Sequence, residues 1–89
     1  MSFERETLLE FPCDFPIKVF GLASSEFEAA AYAIVRKHAP TLAENALTMR
    51  YSKDNKYLAL TIMVKASSQA QLDAIYSELS SHPEIMMVL

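Results

Sequence analysis

The side chains best suited to chemistry are few: one cysteine, Cys13, and two histidines, His38 and His82. A thiolate nucleophile needs a lowered pKa, supplied by a nearby cation, an imidazole or a helix N-terminus. Cys13 instead stands between Pro12 and Asp14, and an adjacent carboxylate raises a thiol pKa, so a nucleophile is not expected there. The histidines fall where helices should stop, His38 shortly before Pro40 and His82 next to Pro83. Neither has a cysteine, histidine or acid at metal-ligand spacing, and a histidine at such a place complements the C-terminal helix dipole. Glu4, Glu6 and Glu10 form the only acidic cluster, which reads as a solvated segment rather than a paired-carboxylate site. With Gly21 the sole glycine, no phosphate-cradling loop or nucleophile elbow can be built. The expectation is a protein that is not an enzyme, with no catalytic, cofactor-binding or metal residues.

The elements that would position any site are legible from composition and periodicity. At 89 residues, 52% hydrophobic and 21% charged, the chain suits one small globular domain with a single core. Eleven acids against eight bases give a net charge of −3, and the bases are scattered from Arg5 to Lys65, which disfavours nucleic acid as a partner. A lone cysteine allows no intrachain disulfide, as suits a reducing compartment. The opening residues lack the pattern of a signal peptide, and no apolar run approaches the ~20 residues of a membrane span. A cytoplasmic protein without membrane attachment is expected.

The longest β-prone run is residues 56–66, with Leu58, Leu60, Ile62 and Val64 on one parity and Tyr57, Ala59, Thr61 and Met63 on the other. It reads as a central strand. Residues 1–15 are expected to form an N-terminal arm, since Pro12 and Pro16 oppose regular pairing, with Leu8, Leu9 and Phe11 as teeth that dock on the domain of residues 16–89. The docking sites expected for them are the Ala29 and Ala33 side of the first helix or an exposed sheet edge. A short strand follows over 17–23, and a capping box, Ser25 with Glu28, starts a helix whose apolar face is Phe27, Ala31, Ile34, Val35 and His38. Leu47, Met49 and Tyr51 alternate with polar neighbours as a half-buried strand, joined to the central one by a turn with Asn55 in its left-handed position. A second capping box, Ser68 with Gln71, opens a helix striped by Leu72, Ile75, Tyr76 and Leu79, and residues 84–89 form a last strand.

The order βαββαβ predicts an α+β, ferredoxin-like sandwich: a four-stranded antiparallel sheet, order 4-1-3-2, with both helices on one face. The other face is left open. If Leu58, Leu60, Ile62 and Val64 turn to the helices, Tyr57, Thr61 and Met63 turn away, joined from the first strand by Lys18, Phe20 and Leu22. The last strand adds either Met86 and Val88 or Ile85, Met87 and Leu89. An exposed apolar patch with methionines suits adaptable recognition, so a protein partner or self-association through Phe20, Leu22, Tyr57, Thr61 and Met63 is the expected use of this face.

Leu8-Leu9-Glu10-Phe11-Pro12, Ile17-Lys18-Val19-Phe20-Gly21, Arg36-Lys37-His38-Ala39-Pro40 and Met86-Met87-Val88-Leu89, occurring in this order, resemble the YbeD-like family of small uncharacterised bacterial proteins. The resemblance covers nearly the whole chain. It implies a cytosolic domain similar to the ACT-type regulatory domains, with no established reaction, cofactor or catalytic residue. It also implies, through genes that neighbour a lipoate-attachment enzyme, a lipoate-linked role. ACT domains hold small ligands on a Gly- and Asp-bearing turn between the first strand and first helix; here the segment is Gly21-Leu22-Ala23-Ser24-Ser25, without the acid. Gly21, Ser24 and Ser25, with the first helical N–H groups, are the candidate turn for an amino-acid carboxylate. Two functions are thus expected in order: a non-enzymatic interaction or regulatory module, and an ACT-like small-molecule sensor.

Overall fold

A computed structural model describes residues 10–89 of the chain. Strands β1 (Cys13–Leu22), β2 (Leu47–Tyr51), β3 (Tyr57–Ala66) and β4 (Met87–Val88) form one sheet in the order β2-β3-β1-β4, all pairs antiparallel. Helices α1 (Ser25–His38) and α2 (Gln69–Ser81) contribute Phe27, Ala31, Ile34, Val35, Leu72, Ile75 and Leu79 to a core shared with Ile17, Val19, Leu58, Leu60, Ile62 and Val64. This is the expected ferredoxin-like plan, its sheet order read from the opposite edge.

The first strand starts earlier than the prolines suggest. Cys13 already pairs with Ala66, and the β1–β3 ladder runs ten residues through Pro16↔Met63 to Leu22↔Tyr57. The physical reason lies in which way the backbone points. Lys18 exchanges hydrogen bonds with Leu89 on the β4 side, so the backbone groups of Pro16, two residues earlier, face that side too. β4 pairs with β1 only around residues 18–20, so the missing N–H of Pro16 falls where no described strand lies beside β1 to receive it. Phe11, Cys13 and Phe15 pack against the core, so this part of the expected arm belongs to the domain. Leu8 and Leu9 lie outside the described residues.

Both helix starts use serine, with adjustments. Ser24, not Ser25, caps α1: its Oγ accepts from the Phe27 N–H at 3.1 Å, while the Ser25 hydroxyl faces Glu26. Either serine could cap on local grounds; capping by Ser24 places Phe27 in the core against Gly21. Ser68 caps α2 as expected, accepting from Gln71 N–H at 3.1 Å, but the Gln71 carbonyl returns to Ser67 N–H at 2.7 Å rather than to Ser68. The other end of that amide donates to the His38 carbonyl at 2.9 Å, tying the end of α1 to the start of α2.

The β2–β3 turn is built by its own polar residues. The Asp54 carboxylate accepts from the Ser52 hydroxyl at 2.7 Å and the Lys56 N–H at 3.1 Å, and Asn55 takes the positive φ of 59°. Those two hydrogen bonds hold the Asp54 carboxyl below its ordinary pKa.

The last strand resolves its open parity by breaking it. Val88 pairs with Val19 and Met87 with Phe20, yet it is the Met86 N–H that donates to the Phe20 carbonyl, at 2.8 Å. This local offset lets Ile85 enter the core while Met87 and Leu89 turn to the open side with Phe20 and Lys18. Neither strictly alternating set describes the strand.

Candidate functional site

The open face is assembled from alternate residues of four strands. β1 contributes Lys18, Phe20 and Leu22; β3 contributes Tyr57, Ala59, Thr61, Met63 and Lys65; β2 contributes Thr48 and Arg50, opposite Thr61 and Ala59. Their odd or even positions follow from the burial of Ile17, Val19, Leu58, Leu60, Ile62 and Val64 under the helices. Leu22, Tyr57, Met63, Met87 and Leu89 remain between 41% and 62% exposed on that face. Large apolar side chains at such exposure are unremarkable singly; five on one side of one sheet form a surface.

The face has two apolar ends and a polar middle. At one end Leu22 lies opposite Tyr57, and Phe20 is flanked by Met87 and Ala59. At the other Met63 lies opposite Pro16, four residues or about 13 Å along β3 from Ala59, so Phe20 and Met63 belong to opposite ends of the face rather than lying side by side. Between them Thr61 faces Lys18, and Lys18 in turn pairs with Leu89. A groove of about 430 Å³ crosses this middle, lined by Lys18, Phe20, Thr48, Arg50, Ala59 and Thr61. The Met63 end borders a second hollow, of about 470 Å³, whose wall is the loop after α1 including Thr41, Leu42 and Asn45. Lys56 Nζ stands 5.5 Å from the centroid of the Tyr57 ring, a cation over an aromatic at the rim.

The candidate ligand turn is largely occupied by the fold itself. A Cβ built on Gly21 would lie 2.5 Å from Phe27 Cδ1 and 2.8 Å from the Glu84 carbonyl oxygen, so the glycine serves close packing of strand, helix and the segment after α2. Ser24 Oγ is engaged by the helix, and Ala23 N–H donates to the Lys56 carbonyl at 2.9 Å. Ser25 is exposed beside a different hollow, formed with Glu28, Ala29, Tyr32, Glu44 and Leu47.

Of the residues singled out for chemistry, Cys13 is a free, half-buried thiol on β1. His82 takes the C-cap position of α2, and its Nδ1 accepts from Glu84 N–H at 3.1 Å. His38 has a partner the sequence did not suggest: its Nε2 lies 2.8 Å from Glu78 Oε1, and Lys37 Nζ lies 3.2 Å from Glu78 Oε2. These donors hold the Glu78 carboxyl below its ordinary value, the His38 hydrogen bond first and that of Lys37 second. The pair lies 40 positions apart, so no local motif could announce it. Among the described residues, no group of three or more His, Cys, Asp or Glu is arranged to hold a metal ion.

Comparison with known proteins places the chain. A family model described as "Protein of unknown function (DUF493)" matches residues 6–89. The chain belongs to this family. A UPF0250 protein of Chromobacterium violaceum is 46% identical over 89 residues, covering all of both chains. Another, from Nitrosomonas europaea, is 40% identical over 85 residues, covering 96% of this chain and 98% of that one. These DUF493 relatives are of the YbeD-like kind that the short motifs indicated, small and bacterial. Among solved structures, the DUF493 fold is similar to the C-terminal domain of the MgtC protein from Mycobacterium tuberculosis, with a TM-score of 0.60 over 91% of this chain and 88% of that one. At 16% identity that likeness concerns the fold. No described helix of this DUF493 protein is long and apolar enough to cross a membrane.

Proposed function

We propose that this protein is a non-enzymatic interaction module of the cytoplasm whose working surface is the open face of the sheet. One observation carries the reading: Leu22, Tyr57, Met63, Met87 and Leu89 stand exposed on the side of the sheet opposite both helices. Leaving that much apolar area in water costs about 25 cal/mol per Å² relative to covering it, so a partner that covers it gains affinity directly. Methionine and tyrosine suit such a surface, the first because its thioether chain adapts and the second because it joins an apolar body to a polar tip. Within the family context, proteins of lipoate attachment are the first partners to test. The alternative, a sensor of small amino acids at Gly21, Ser24 and Ser25, has weaker support, because Ser24 caps α1 and Gly21 is packed against Phe27.

The reading is tested by affinity capture from a bacterial extract with the full chain, compared with Phe20→Ser and Met63→Ser. A protein retained by the wild type and lost with both variants, while Ala33→Ser on the helix side retains it, is the expected result. Retention by all three variants would place the working surface elsewhere. In parallel, backbone amides of residues 21–27 should stay unmoved by amino acids at millimolar concentration; saturable shifts there would favour the sensor.

A further inference from the structure

The charges of the molecule are sorted between its two layers. Lys18, Arg50 and Lys65 project from the strands on the open face, where Asp14 is the one acid that the described strands contribute. On the helices Glu26, Glu28, Asp73 and Glu78 outnumber Arg36 and Lys37. The sheet face is therefore locally positive in a protein whose net charge is −3. Lys18 and Arg50 lie on either side of β3, two strand spacings or about 10 Å apart laterally, and line the same groove with Phe20 and Ala59 at its floor and the hydroxyls of Thr48 and Thr61 beside them.

Resting on the sheet-face reading above, we infer that the occupant of this face is an extended acidic protein segment that presents, from every second residue, central carboxylates flanked by aliphatic side chains. The carboxylates would meet Lys18 and Arg50 across the middle of the face, and the aliphatic groups would cover the apolar ends at Leu22 and Met63. Charge complementarity of this kind sets specificity and encounter rate. It also disfavours a second copy docked face to face, since a two-fold arrangement brings Lys18 and Arg50 of each copy towards those of the other. A nucleic acid fits less well, because most of the apolar groups are aliphatic rather than base-stacking and the helix layer is acidic.

The probe is a labelled peptide Leu-Ser-Glu-Ser-Glu-Ser-Leu (the Leu-Glu peptide), with its glutamine counterpart (the Leu-Gln peptide), titrated into the full chain and read by amide chemical shifts and fluorescence anisotropy. The expected result is saturable binding of the Leu-Glu peptide with shifts confined to Lys18, Phe20, Thr48, Arg50 and Thr61 and their neighbours. Affinity should fall about tenfold or more for Lys18→Glu combined with Arg50→Glu, and fall again as salt rises from about 0.05 to about 0.5 M. Should that double variant fail to fold, Lys18→Gln with Arg50→Gln should show a smaller loss of the same sign. Equal binding of the Leu-Glu and Leu-Gln peptides, with both lost in Phe20→Ser, would overturn the acidic partner while leaving the apolar face as the docking surface. Binding of neither peptide would overturn the inference, as would saturation of the same amides by oligouridylate. A dimer whose interface maps to this face, or contacts of residues 1–9 with Phe20 or Met63 in the free chain, would overturn it in favour of a second copy or the chain's own N-terminal segment.

Discussion

Gly21 and Ser24 show what single residues do in this fold. Gly21 leaves room for the Phe27 ring and the Glu84 carbonyl at distances no Cβ tolerates, and one of those neighbours is backbone that cannot rotate away. Gly21→Ala should therefore destabilise by about 1 to 3 kcal/mol through overpacking, read as a lower urea midpoint with unchanged slope. Ser24→Ala should cost about 1 kcal/mol as a lost cap, whereas Ser25→Ala, one residue later and exposed, should be close to neutral. The sequence pointed to Ser25 as the start of this helix, one residue later than the Ser24 that caps it. The local capping-box pattern favours Ser25 through Glu28, and the packing of Phe27 in the core overrides it. The spatial meeting of His38 with Glu78 was likewise hidden, since it depends on how two helices lie on the sheet.

At the scale of elements, the contact between α1 and α2 combines the buried face with a polar rim made by Lys37, His38, Gln71 and Glu78. Because the folded state holds the Glu78 carboxyl below its ordinary pKa, the stability it contributes is present above the unfolded value near 4.5 and is lost as pH falls through the lower folded value. The melting-temperature difference between wild type and Glu78→Gln should thus be present above about pH 4.5 and close as the pH is lowered further; a gap that widens below about pH 4.5 would contradict the assignment. Strands and helices were legible because their apolar residues recur at periods of two or near 3.6, as in Leu58, Leu60, Ile62 and Val64 or Phe27, Ala31, Ile34 and Val35. Two local rules, the proline barrier at Pro16 and strict alternation in β4, failed where backbone pairing overrides them. Pro16 is accommodated because β4 is short, and the alternation of β4 breaks at Met86, where the strand must both anchor Ile85 in the core and pair with Phe20.

For the molecule as a whole, the ferredoxin-like plan leaves one broad surface of the sheet without a helical cover among the described residues, and this chain keeps large apolar side chains on it. That face was visible in the sequence as the second parity of β3. Its charge distribution was not, because Arg50 joins Lys18 in one groove only through the pairing of β2 and β1 on either side of β3. The methionines offer a direct report on whether the surface is used. Met63 and Met87 lie on the open face, while Met49, opposite Leu60 on β2, projects from the other side of the sheet at similar exposure. With methionine methyl groups isotopically labelled, the full chain can be observed by NMR in buffer and then in native bacterial extract. If the open face is the working surface, the Met63 and Met87 methyl signals shift or broaden in extract, the Met49 signal holds, and Phe20→Ser restores the buffer spectrum. Signals of Met63 and Met87 unchanged in extract, or a change confined to Met49, would contradict it.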